Sequence, residues 1–210
     1  MVDFRREPTT QLHLSHNCFK EFPTALLEMG VLTYLDLSYN QISTLPEGIN
    51  SLVDLQELNM ENNRLTSIPE GLGELSDLKV CRFANNLITS LPPNARDWAF
   101  LGEEGVSLSA VLKGNQIARI EDELLTHQKA KRMLTDNRLV AMPILNIVNK
   151  EAIVEMNFQQ NCIAAIPKDI KQFKALTRLL LGFNKVTVIP KDIDQLPKLY
   201  QFSFSKDFAM

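Results

Sequence analysis

The chain has 210 residues, 45% of them hydrophobic and 22% charged, with a formal net charge of −3. That is the composition of a soluble protein, and it lacks the basic bias of a nucleic-acid binder. No apolar stretch approaches the ~18 residues of a membrane helix, and the opening Met1–Glu7 has no apolar core of a secretory signal.

From the first repeat onward the chain is periodic. Asn17, Asn40, Asn63, Asn86, Asn115, Asn137, Asn161 and Asn184 follow one another at steps of 23, 23, 23, 29, 22, 24 and 23. Pro23, Pro46, Pro69, Pro92, Pro143, Pro167 and Pro190 each stand six residues after their asparagine, and Glu121 takes that slot in the fifth repeat. A period of about 20–29 residues signals units that cannot bury their apolar face alone and must stack. Leu35, Leu37, Leu58 and Met60 supply the lining that parallel strands need when a face is buried. Each Asn amide carries donors and an acceptor, so a ladder of them can satisfy backbone groups stranded at the turn. Proline fixes φ and lacks an N–H, which suits a return leg outside regular structure.

Repeats one to four are regular, with paired apolar return-leg positions such as Leu26 and Met29, or Ile49 and Leu52. The middle is degenerate. Ala95 and Trp98 fill the usual return-leg positions, and six extra residues follow. Repeat five has Ser107 and Ala110 where leucine is expected, and repeat six has Lys129 and Arg132. A buried Arg needs a partner, so a local shift bringing Met133 and Leu134 inward is expected. Glu121–Met133 also reads as a helix, acidic at its start and basic at its end. From Ile153 the frame is clear again, up to a last turn, Leu199, Phe202 and Phe204, without its asparagine. The expected organisation is one domain over 1–210, about nine repeats in all. Regular repeats cover 9–98 and 153–204; degenerate repeats and the insertion cover 99–152, either decayed repeats or a hinge or second contact surface.

Cys18, Cys81 and Cys162 fall three turns apart. At about 4.8 Å per strand their separation is roughly 14 Å, beyond the ~7 Å between Cα atoms that a disulfide tolerates. Free thiols throughout point to a cytoplasmic or nuclear compartment.

Strand side chains alternate, so the residues between the inward leucines line the concave face. A middle column runs His13, Asp36, Asn59, Arg82, Val111, Met133, Asn157, Leu180 and Ser203. Tyr34, Asp36, Tyr39, Glu57, Asn59, Lys79 and Arg82 form an aromatic and charged patch over repeats two to four, rich in the residue types of interface hot spots. Leu180, Phe183 and Tyr200 form a second, apolar patch. Chemistry is absent from the motifs: His13, His16 and His127 sit in no catalytic arrangement, no cysteine pair has metal spacing, and Gly71-Leu72-Gly73 lacks a phosphate-loop lysine. No catalytic residue, metal or cofactor is expected.

The frame Leu32-x-x-Leu35-x-Leu37-x-x-Asn40, with Ser43-Thr44-Leu45-Pro46 behind it, resembles the 23-residue leucine-rich repeats of the Ras-group intracellular proteins. The resemblance covers nearly the whole chain. It implies an α/β leucine-rich repeat solenoid, with a curved parallel β-sheet on the concave side and irregular, 3-10 or short helical segments on the convex side. It also implies a non-catalytic scaffold or adaptor whose concave face binds a small GTPase, a phosphatase or another signalling protein. The alternatives are the recognition arm of a larger signalling enzyme or ligase, and a self-associating solenoid.

Overall fold

The computed structural model describes residues 8–102, 108–120, 131–144 and 150–206. Eight short strands succeed one another: β1 (Gln11–His13), β2 (Tyr34–Asp36), β3 (Glu57–Asn59), β4 (Val80–Arg82), β5 (Lys131–Met133), β6 (Glu155–Asn157), β7 (Arg178–Asn184) and β8 (Gln201–Lys206). They form two parallel four-stranded sheets, β1 to β4 and β5 to β8, each in chain order. Register follows the repeat, with Leu12 opposite Leu35, then Leu58, then Cys81.

Strands are short because each is ended by a fixed bend. The residue before the ladder asparagine is left-handed at His16, Tyr39, Asn62, Asn85, Asp136, Gln160 and Phe183, with φ between 54° and 57°, and at Gly114, with φ 72°. The asparagine then ties the bend to the preceding coil. Asn63 Oδ1 accepts from the Ile42 N–H at 2.9 Å, and its Nδ2 donates to the Leu37 carbonyl at 2.9 Å. The same pair of bonds recurs at Asn40, Asn86, Asn115, Asn137, Asn161 and Asn184. Asn17 is exposed, and its Nδ2 reaches the Leu14 and Ser15 carbonyls of its own turn.

Six prolines, at 23, 46, 69, 92, 167 and 190, precede a 3-10 turn on the return leg. Three residues per 3-10 turn bring positions i and i+3 onto one side. The apolar pairs spaced by three therefore face inward together, as Ile49 with Leu52 and Phe173 with Ile170 do. The core runs the length of the array as one cluster, with Trp98 and Ala95 buried where the sequence places them.

The middle departs from expectation in three ways. Leu108–Leu112, where a fifth strand was expected, is a short α-helix, α1, and this divides the sheet. Val111 is consequently buried, not on the concave face, and Ala110, expected in an inward leucine position, is exposed. Strand β5 shows no local shift: Arg132 pairs opposite Met156 and Met133 opposite Asn157, in the ordinary frame, with Leu134 buried behind them. Of the helix expected over Glu121–Met133, residues 121–130 lie outside the described residues and the last three are strand β5. Lys129, Ser107 and His127 also lie outside them. Even across α1 the bends stay connected, because the Phe83 N–H donates to the Val111 carbonyl at 2.8 Å and the Gly114 N–H to that of Asp136 at 2.8 Å.

Candidate functional site

On the strand face, β2, β3 and β4 bring the first set of candidate residues together. Tyr34 and Asp36 stand on β2, Glu57 and Asn59 on β3 and Arg82 on β4, all half-buried. Arg82 Nη1 lies 3.7 Å from Glu57 Oε2. Tyr34 sits among these charges. Partial burial raises its phenol pKa, the negative charges of Asp36 and Glu57 raise it further, and Arg82 opposes them. Tyr39 is half exposed and left-handed. Lys79 is exposed at the rim, one residue before β4.

Two of these residues also serve the fold. Asp36 Oδ1 accepts from the Ser38 N–H at 2.9 Å, and Asn59 Oδ1 accepts from the Glu61 N–H at 3.1 Å. Such bonds two residues on are what Asp and Asn characteristically make at a bend. One acceptor of each is therefore committed, while the other Asp36 oxygen and the Asn59 amide nitrogen stay available to a partner.

The structure adds two histidines. His16 stacks on Tyr39 with ring centroids 4.2 Å apart and planes 9° apart, and His13 lies 4.8 Å from Tyr34 at 39°. Sequence inspection set both aside because it sought catalytic arrangements. The signal that could have found them is their position one repeat before the tyrosines. Next in the left-handed row, Asn85 Nδ2 donates to Asn62 Oδ1 at 3.2 Å. The row of imidazole, phenol and two amides ends at Gly114, where an added Cβ would lie 2.2 Å from Asn85 Oδ1.

Comparison with known proteins agrees with this architecture. A family model for leucine-rich repeats in two copies matches residues 31–74. No curated protein sequence matches the chain. Among solved structures, a leucine-rich repeat protein of Leptospira interrogans is 25% identical with a TM-score of 0.63, over 91% of this chain and 53% of that one. The functional domain of InlJ from Listeria monocytogenes, which includes a cysteine ladder, is 19% identical with a TM-score of 0.61, over 93% of this chain and 39% of that one. The fold is a leucine-rich repeat solenoid. The plant peptide hormone receptor RGFR1 in complex with RGF2 is 25% identical with a TM-score of 0.56, over 85% of this chain and 29% of that one. The chain thus spans about half the length of the Leptospira protein and less of the other two.

Leucine-rich repeats generally serve as non-catalytic interaction modules. On this solenoid the second patch is not the apolar surface of three side chains expected. Phe183 and Tyr200 are exposed, at 60% and 75%, but Leu180 is only 6% exposed. It stands on β7 between Asn157 of β6 and Ser203 of β8. The buried Ser203 Oγ beside it has no hydrogen-bond partner. Glu155 is likewise buried, its Oε1 3.2 Å from Arg178 Nη1. No helix among the described residues is long and apolar enough to cross a membrane, and no group of three or more candidate metal ligands occurs among them.

Proposed function

We propose that this chain is a scaffold or adaptor module that binds a partner protein through the concave face of β2 to β4. The observation that carries the reading is the grouping of Tyr34, Tyr39 and Arg82. Tyr34 and Arg82 stand on β2 and β4 and Tyr39 on the bend that follows β2, and none of the three has a part in the core cluster. Tyrosine and arginine on such a support are the usual anchors of protein interfaces. A peptide-bound receptor among the structural neighbours supports a protein or peptide ligand.

We further assign the repeats to the Ras-group type, on the prevailing 23-residue step and the apolar residue and proline that follow seven of the eight asparagines, Leu45-Pro46 among them. Asp136–Pro143 and Ile153–Pro167 are similar to stretches of leucine-rich repeat-containing protein 40. That resemblance implies the cytoplasm or nucleus, with a small GTPase, phosphatase or other signalling protein as partner.

The test is affinity capture with the intact chain and with Tyr34→Ala and Arg82→Ala. Truncating a true hot spot costs at least ~2 kcal/mol, about thirtyfold in affinity. Glu70→Ala, on an exposed return-leg position, should change nothing. Partners retained by both concave variants would rule the face out and turn attention to Phe183 and Tyr200.

A further inference from the structure

Around the two tyrosines the charges are unequal. Asp36, Glu57 and Glu61, all half-buried on or beside β2 and β3, outnumber Arg82, which is paired with Glu57, and Lys79, exposed at the rim. Glu61 follows β3, and its carbonyl accepts from the Tyr39 N–H at 2.9 Å, which fixes it next to the Tyr39 bend. Tyr39 itself is held at φ 54°, a conformation that suits Gly or Asn and costs an aromatic residue. The fold draws no core packing from this side chain, which is half exposed. The bend of the repeat imposes this conformation on whatever residue stands there, so what marks Tyr39 is an aromatic ring set on the surface beside carboxylates.

Resting on the concave-face reading above, we propose that the partner presents a cationic side chain, arginine or lysine, which lies against Tyr34 and Tyr39 with its charge among Asp36, Glu57 and Glu61. A cation over a tyrosine ring is attracted by the negative face of the ring. Carboxylates beside the ring neutralise the cation as it leaves water, so ring and acids act on one group. Arginine fits best, because its planar guanidinium stacks on a ring while donating to carboxylates at its edge. Asp36 has one oxygen free for this, the other being held by the Ser38 N–H. The partner segment is therefore basic at this point of contact.

The fold supplies a clean variant. Asn59 already performs, one repeat on, the backbone bond that Asp36 makes, so Asp36→Asn removes a charge without removing the acceptor. Combined with Glu57→Gln it strips two carboxylates at constant shape. The experiment is a display selection of random linear peptides on the intact chain, followed by affinity measurements on the enriched peptides.

The expected result is an arginine or lysine at a fixed position in the enriched peptides. Binding should be weakened about tenfold by D36N/E57Q and by Tyr34→Ala, the worth of a partly desolvated cation site. Glu70→Ala, on an exposed return-leg position, should leave it unchanged, and circular dichroism should show each variant folded. Enriched peptides without a fixed cation, binding indifferent to D36N/E57Q, or no enrichment at all would overturn the proposal. If Tyr34→Ala still weakens such peptides, the concave face binds and only its cation site fails. If no concave variant matters, both readings fall.

Discussion

Asn63 holds four backbone groups at once: it accepts from Ile42 and donates to Leu37, Met60 and Glu61. Leucine at this position matches its size but orphans the buried Ile42 N–H, at a cost of about 1–3 kcal/mol, while the three carbonyls each keep one donor, Leu37 from Asn40, Met60 from Asn86 and Glu61 from the Tyr39 N–H. Asn63→Leu should therefore lower the stability read from a urea melt by about that amount, and an unchanged midpoint would remove the ladder's structural role. The thiols form a second residue-scale test. Cys18 is exposed, Cys162 partly so and Cys81 buried, and all three are free. Burial pushes the Cys81 thiol well above its ordinary range, which disfavours the reactive thiolate and shields the sulfur from reagents. Mass spectrometry after a brief alkylation should find Cys18 modified first and Cys81 only once the chain unfolds.

At the scale of the element, the bend that ends each strand asks for a left-handed residue, and the chain meets that demand unevenly. Gly114 and the two asparagines suit it; Gln160, at φ 56°, does not. Gln160→Gly should relieve left-handed strain of about 1–2 kcal/mol against an entropic cost near 0.5–1 kcal/mol. The expected net is a small gain in stability, read as a higher midpoint; a drop would mean the side chain makes a contact worth more than the strain. The converse holds at Gly114, where φ is 72° and Asn85 Oδ1 occupies the space of a Cβ. Gly114→Ala should destabilise the chain by about 1–3 kcal/mol and disturb the Asn62–Asn85 pair. Close stacking of return legs makes a similar demand at Gly71, where a Cβ would come within 2.3 Å of the Glu47 carbonyl oxygen.

For the whole molecule, the significant fact is a sheet that breaks while its ladder does not. Asn115 bridges the gap, donating to Phe83 before α1 and to Leu112 at its end, and accepting from Ile88. In a stacked array, stability is the sum of the units and the interfaces between neighbours. Asn63→Leu weakens an interface inside one sheet, whereas Asn115→Leu weakens the joint between two. The expected outcome for Asn115→Leu is a broadened or two-step denaturant transition, followed by circular dichroism and Trp98 fluorescence together. Coincident, equally steep transitions would show that the joint does not limit cooperativity.

Sequence alone determined the repeating architecture, because its period, its ladder asparagines and its phased prolines each answer a local requirement repeated coil after coil. Tyr34, Asp36, Glu57 and Arg82 could be assigned to one face for the same reason, since alternation along a strand needs no tertiary knowledge. What required the tertiary structure was everything set by neighbours. Leu180 is buried on β7 between β6 and β8, and Val111 is turned inward by a helix that no single-residue preference announces. Stacking of His16 on Tyr39 depends on two bends being held in register. Periodicity reports which way a side chain points from its own backbone. Whether it then meets water, a ring or a carboxylate is decided by the coils packed beside it.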